Sequence, residues 1–183
     1  MKQAIDSNAV AISNATSRNA GAVGKNALVP RVVRDRYGRL DDLNVLDFGA
    51  GKAAAHAVSM QVAYSLYGWQ VDAFEFGANV VEGLHLSEQD ADRNAGLYHV
   101  VYASNVLNTV SSWSQLHVTL ATARRFTRYT GFFIANYPAS PRKSNVTPDE
   151  VEQALGQYWV NVVRVAGTKA APVWECDNGG ITA

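Results

Sequence analysis

A single cysteine, Cys176, stands in 183 residues, which excludes an internal disulfide and any zinc site built mainly of cysteines. An excess of one charge is also missing, because 16 Lys and Arg meet 16 Asp and Glu. That balance excludes a uniformly basic nucleic-acid coat and leaves room only for local basic patches. No apolar run approaches the ~20 residues of a membrane span, so no membrane partner is expected. The first residues, MKQAIDSNAVAISNATSRNAGAVGKN, lack the apolar segment of a secretory signal. The expected location is the cytoplasm. The four histidines, His56, His85, His99 and His117, show no i, i+4 pair and no companion cysteines, so no metal is expected. Gly-x-Ser-x-Gly is absent, which argues against a serine hydrolase of that type. What remains is an ordinary globular composition, 48% hydrophobic and 17% charged, long enough to bury its own core.

Residues 1–24 are rich in Ala, Asn, Ser and Gly and read as a flexible arm. Residues 25–183 read as one domain. Leu28, Val29, Val32 and Val33 recur at helical spacing, which predicts a helix over 27–37 stopped at Gly38. Strands are expected at Asn44–Phe48, Gln70–Phe76, Tyr98–Ala103 and Phe132–Asn136, with helices at 52–67 and 112–129 between them. Thr147-Pro148-Asp149-Glu150 opens a further helix as a capping box with proline at its first position. Val160–Val165 and Pro172–Cys176 read as a closing hairpin. The alternation predicts an α/β fold: a Rossmann-like, doubly wound, mostly parallel sheet with a C-terminal antiparallel hairpin.

The first strand runs into Gly49-Ala50-Gly51 just before a helix. Glycine there permits positive φ and a close backbone approach to a ligand. The following helix start offers unpaired N–H groups. Glu75 ends the second strand, where a carboxylate can accept hydrogen bonds from a ribose. The turn lacks the third glycine of the dinucleotide fingerprint and the Gly-Lys-Ser/Thr of a phosphate loop. A nucleotide-dependent oxidoreductase is therefore disfavoured.

These segments resemble the class I S-adenosylmethionine-dependent methyltransferases. VLDFGAG is similar to the first motif of that family and VDAFEF to its second. The resemblance implies S-adenosylmethionine as cofactor, held by Asp47, Phe48, Gly49, Ala50, Gly51, Glu75, Phe76 and Ser104. YHVVYASNVLN resembles the fourth motif, which would turn Ser104, Asn105 and Asn108 toward cofactor and acceptor. GFFIANYPASPRK is similar to the fifth strand and its loop, adding Asn136, Tyr137 and Pro138 to the catalytic candidates. Only about 22 residues separate Glu75 from Tyr98, so a shortened or missing third strand is expected. Glu88, Asp90 and Asp92 are then equal candidates for the adenine contact. Small methyltransferase-like proteins of bacterial and phage genomes, DNA methylases among them, are the nearest resemblance.

The acceptor reading slightly favours a nucleic-acid base amino group over a small molecule. Arg124, Arg125 and Arg128 on one helical stretch, Arg142-Lys143 after the fifth strand, and Lys25, Arg31, Arg34 and Arg36 are local basic groups that could track phosphates. Against it, the proline motif of base-directed amino methyltransferases is absent after the fourth strand. A non-catalytic protein that keeps the fold for a partner is the rival from another class.

Overall fold

The computed structural model describes residues 27–86, 88–138 and 146–179. The predicted arm at 1–24, Lys25, Arg142 and Lys143 lie outside them. In chain order the elements are α1 (Leu28–Tyr37), β1 (Asn44–Phe48), α2 (Ala55–Tyr64), β2 (Gln70–Phe74), α3 (Glu88–Arg93) and β3 (Tyr98–Ala103). They continue with α4 (Trp113–Phe126), β4 (Thr127–Asn136), α5 (Pro148–Leu155), β5 (Asn161–Thr168) and β6 (Ala171–Asp177). The sheet order is β2-β1-β3-β4-β6-β5. The first four strands are parallel, and β6 enters antiparallel between β4 and β5. This is the expected Rossmann-like sheet with its terminal hairpin.

Strand alternation sorts the core onto two faces. Leu46, Phe48, Val101, Phe133 and Trp174 face α4 and α5, which contribute Leu116, Leu120, Phe126, Val151 and Leu155. Val45, Val100, Tyr102 and Ile134 face α1 and α2, which contribute Val29, Val33, Tyr37, Met60 and Tyr64. Helices thus cover both faces. One tie crosses the second face. The Arg36 guanidinium forks onto Glu175 of β6, and the Tyr37 hydroxyl donates to the same carboxylate at 2.6 Å.

The third strand is missing, as its short spacing predicted. Between β2 and β3 stand a 3-10 turn at Gly77–Asn79, the loop that follows it and the six-residue α3. The outer edge of β2 is closed instead by a side chain. The Gln61 amide accepts from the Val71 N–H at 2.7 Å and donates to the Trp69 carbonyl at 3.0 Å. One amide group thereby fills the place of a strand's peptide.

Several boundaries differ from the sequence reading; β2 ends at Phe74, so Glu75 and Phe76 follow the strand, and β5 runs on to Thr168. The helix α4 ends at Phe126 rather than at Tyr129, and β4 begins at once. The Thr127 hydroxyl donates to the Ala123 carbonyl at 2.8 Å and closes the last turn, while Thr127 pairs with Tyr98 of β3. Thr130-Gly131 is accordingly strand, with a register shift against β3, and not a turn. Arg128 therefore lies on β4, and not on the helix with Arg124 and Arg125. The helix α2 begins at Ala55 rather than at Lys52, because Ala54 takes a left-handed conformation at φ 42°. The Thr147–Glu150 capping box forms as read, with Pro148 in the first turn.

Candidate active site

A parallel strand delivers its last residue to one edge of the sheet, and ligands of open α/β sheets bind outside that edge. Here β1 delivers Gly49-Ala50-Gly51, β2 delivers Glu75, β3 delivers Ser104-Asn105 and β4 delivers Asn136. The fold thus brings residues 47–51, 75, 104, 105 and 136 to a common edge.

The glycine turn is shaped by its neighbours. Gly49 sits at φ 78°, and a Cβ there would stand 2.6 Å from Val106 Cγ2. Gly51 also has positive φ, at 73°. The Gly49 and Ala50 N–H groups both donate to the Phe74 carbonyl, at 2.8 and 3.0 Å. Glu75 is buried, and its two oxygens accept from the Gly51 N–H and, at 2.7 Å, from the Phe76 N–H. Burial raises its pKa, and those two amides pull it back down. An ionised carboxylate has about four lone-pair sites, so both oxygens keep capacity for hydroxyl donors.

Asp47 is in register with Tyr102 on β3 and Ala73 on β2, below the start of α2. Both its carboxylate oxygens are buried and lack a hydrogen-bond partner among the described residues. Burial pushes its pKa up to about 7; the nearby Tyr102 hydroxyl pulls down, the Glu75 charge pushes up and the Ala57 N–H pulls down. Two buried carboxylates therefore flank the glycine turn. Such a pair favours a ligand that brings positive charge and hydroxyl donors, and disfavours one that brings phosphates.

Beside them, Asn105 stands at φ 58°, a conformation that asparagine tolerates. Its N–H donates to Asn136 Oδ1 at 2.7 Å, and Asn136 Nδ2 donates back to Asn105 Oδ1 at 2.9 Å. This reciprocal pair ties the β3 and β4 ends together. Ser104 and Asn105 are partly exposed. Asn108 is buried on the turn after β3, and its Oδ1 has no partner among the described residues.

Several predicted residues occupy other roles. Phe48 and Phe76 are core side chains, with ring centroids 5.2 Å apart edge to face, and reach the site only through backbone. Tyr137 is buried, and its hydroxyl donates to the Val146 carbonyl, fastening the β4 end to the start of α5. Pro138 is partly exposed and ends its described segment. Of the adenine candidates, Asp92 pairs with Arg125 and Asp90 with Arg93, while Glu88 belongs to the backbone of α3. Arg124 donates to the Thr127 carbonyl at 3.1 Å and Arg128 to the Thr130 hydroxyl at 2.9 Å. Arg34 pairs with Asp35. No group of metal-binding side chains occurs among the described residues, nor is any of their helices long and apolar enough to cross a membrane.

His85 and Gln61 are contacts that the sequence reading did not assign. A groove of about 740 Å³ lies outside the β2 edge, between α2 and residues 80–86, and both side chains line it. It abuts the glycine turn through Ala54 and His85 but holds neither Asp47 nor Glu75 in its walls.

No protein-family model and no curated protein sequence matches the chain. Solved structures do. A TehB-like SAM-dependent methyltransferase from Corynebacterium glutamicum is 10% identical with a TM-score of 0.58, over 93% of this chain and 96% of that one. Magnesium protoporphyrin IX methyltransferase from Synechocystis, solved with bound SAM, is 16% identical with a TM-score of 0.57, over 90% and 80%. For the CMeT domain of the citrinin polyketide synthase the figures are 14% and 0.54, and the chain spans 46% of that structure's length. At these identities the likeness is one of fold. The chain's six-stranded sheet has the Rossmann-like class I fold that these methyltransferases share.

Proposed function

We propose that the protein is a methyltransferase that binds S-adenosylmethionine at the glycine turn. The observation that carries the reading is the pair of buried carboxylates beside that turn, Asp47 without a partner and Glu75 with lone pairs to spare. The cofactor fits this donor set. The ammonium of its amino-acid portion complements Asp47, and its ribose hydroxyls complement Glu75, while a dinucleotide would bring two negative phosphates against two carboxylates. Gly49, Ala50 and Gly51 supply backbone with no side chain in the way, and Ser104 borders them. When bound, the cofactor supplies an electrophilic methyl group on a positively charged sulfur.

Asn105 and Asn136 would orient the acceptor, with Asn108 behind them. An amine acceptor needs little more than an oxygen to align its N–H, which suits an amide pair. A small-molecule acceptor is the preferred reading, because Arg124, Arg125 and Arg128 are engaged by groups of the same chain. Transfer to a nucleic-acid base amino group is the second reading and rests on Arg142 and Lys143. A cytoplasmic location belongs to the same proposal.

Titration calorimetry with S-adenosylmethionine, S-adenosylhomocysteine and NAD tests the cofactor. Binding of the first two without the third is expected. Glu75→Gln should weaken both by about 5- to 100-fold, the loss of charged hydrogen bonds to hydroxyls. Wild-type affinity in that variant would overturn the ribose assignment. A methyl-transfer screen on small amines, DNA and RNA, with Asn105→Ala as control, then identifies the acceptor.

A further inference from the structure

Gly51 is gripped on both of its flanking peptides. Its N–H donates to Glu75, and its carbonyl accepts from the Ala54 N–H at 3.0 Å and meets His85 Nε2 at 2.9 Å. His85 arrives on residues 80–86, the segment that stands where the missing third strand would pair. That segment is braced internally by two hydrogen bonds and tied to β2 by a third. Val81 donates its N–H to His85 Nδ1 at 2.9 Å, the His85 N–H donates to the Val81 carbonyl at 3.0 Å, and the Leu86 N–H donates to the Ala73 carbonyl of β2 at 2.8 Å. The two ring contacts together define the proton. Nδ1 accepts from an amide, so Nε2 carries the hydrogen and donates it to Gly51. Only the neutral ring satisfies both backbone groups.

We propose that His85 is a positioning residue for the cofactor turn: through Nε2–H to the Gly51 carbonyl it fixes the Gly51–Lys52 peptide plane, and because Glu75 holds the preceding Ala50–Gly51 plane through its N–H, the two grips together pin Gly51 at its positive φ and keep the Glu75 carboxylate directed at the turn. The inference rests on the reading of Glu75 as the ribose carboxylate. It adds a residue outside the glycine turn and the strand ends, from the segment that replaces a strand. The Gly51 carbonyl has two lone pairs, and Ala54 and His85 use both. Removing the imidazole donor leaves the Gly51–Lys52 plane held by Ala54 alone, so Gly51 gains freedom about its two backbone torsions and its N–H holds the Glu75 oxygen less firmly.

Two variants separate this role from simple fastening of the loop. His85→Asn keeps an acceptor near Nδ1 for Val81 and loses the donor to Gly51. His85→Gln keeps an N–H near Nε2 for Gly51 and loses the acceptor for Val81. Positioning predicts that His85→Asn weakens S-adenosylhomocysteine binding about five- to tenfold, the worth of one buried hydrogen bond, while His85→Gln stays near wild type. Hydrogen exchange of the Gly51 amide in the protein without added ligand should accelerate in His85→Asn and not in His85→Gln. Affinity that follows melting temperature alike in both variants, or an unchanged Gly51 exchange rate in His85→Asn, would overturn the proposal. A wild-type protein that binds neither S-adenosyl compound overturns the reading of Glu75 instead, and the exchange measurement still decides whether His85 holds the turn.

Discussion

Asp47 carries a buried carboxyl that meets no described group in good hydrogen-bond geometry, the Tyr102 hydroxyl and the Ala57 N–H being the donors nearby. Its pKa rises from 3.8 to about 7, chiefly through burial. A carboxyl raised on folding binds more protons in the folded state than in the unfolded one. Stability therefore falls as pH rises from about 4 to about 7 and levels off above that, the opposite of the usual salt-bridged aspartate. Three units correspond to at most about 4 kcal/mol. Asp47→Asn removes the titration, so its stability advantage over wild type should grow between pH 4 and pH 8, as read from urea midpoints at each pH. Parallel pH profiles for the two proteins would mean that Asp47 is solvated or paired. The same variant should bind S-adenosylmethionine more weakly above pH 7, since the anion that complements the cofactor is gone. The residue thus trades folded stability for ligand binding, as functional carboxyls in apolar surroundings commonly do.

Elements differ in how plainly the sequence announces them. YHVVYA is a short apolar run, and its strand, Tyr98–Ala103, is buried along nearly its whole length. Thr-Pro-Asp-Glu carries its own cap, and α5 starts as that cap requires. The start of β4 was hidden because ARRFTRY is compatible with a helix. Pairing of Thr127 with Tyr98 decides it, and that contact is not local. Gln61 and His85 were illegible for a related reason. Their partners are backbone groups 10 and 34 positions away, and a backbone group leaves no mark in a sequence. Glu75 and the glycines were legible because strand ends and turns are local. The α1 helix shows the long-range kind again, since Arg36 and Tyr37 meet Glu175 some 139 and 138 residues on. Glu175→Gln should cost about 1–2 kcal/mol, reduced from the worth of a buried ion pair because Arg36 is half exposed. An unchanged urea midpoint would show that Arg36 and Tyr37 find equal partners in water.

At the scale of the molecule, a sheet of four parallel strands and a hairpin is closed on the β5 side by a strand that is largely exposed. On the other side it stops at β2. A five-residue strand beside a groove and the exposed side chains of Val58, Val62 and Leu66 would ordinarily be an adhesive edge. Zero net charge adds little repulsion between copies. The edge is instead blunted by the Gln61 amide on Val71 and Trp69, with Leu86 on Ala73. Gln61→Ala should raise light scattering on storage at neutral pH while its far-UV spectrum stays native, and Gln61→Glu, which keeps the acceptor but not the donor, should fall between the two. Equal scattering by all three proteins would assign the protection to Leu86 alone. The β2 edge is thus guarded in part by a glutamine that spends its hydrogen bonds impersonating a neighbour strand, so that a stranger's backbone finds less of a template there.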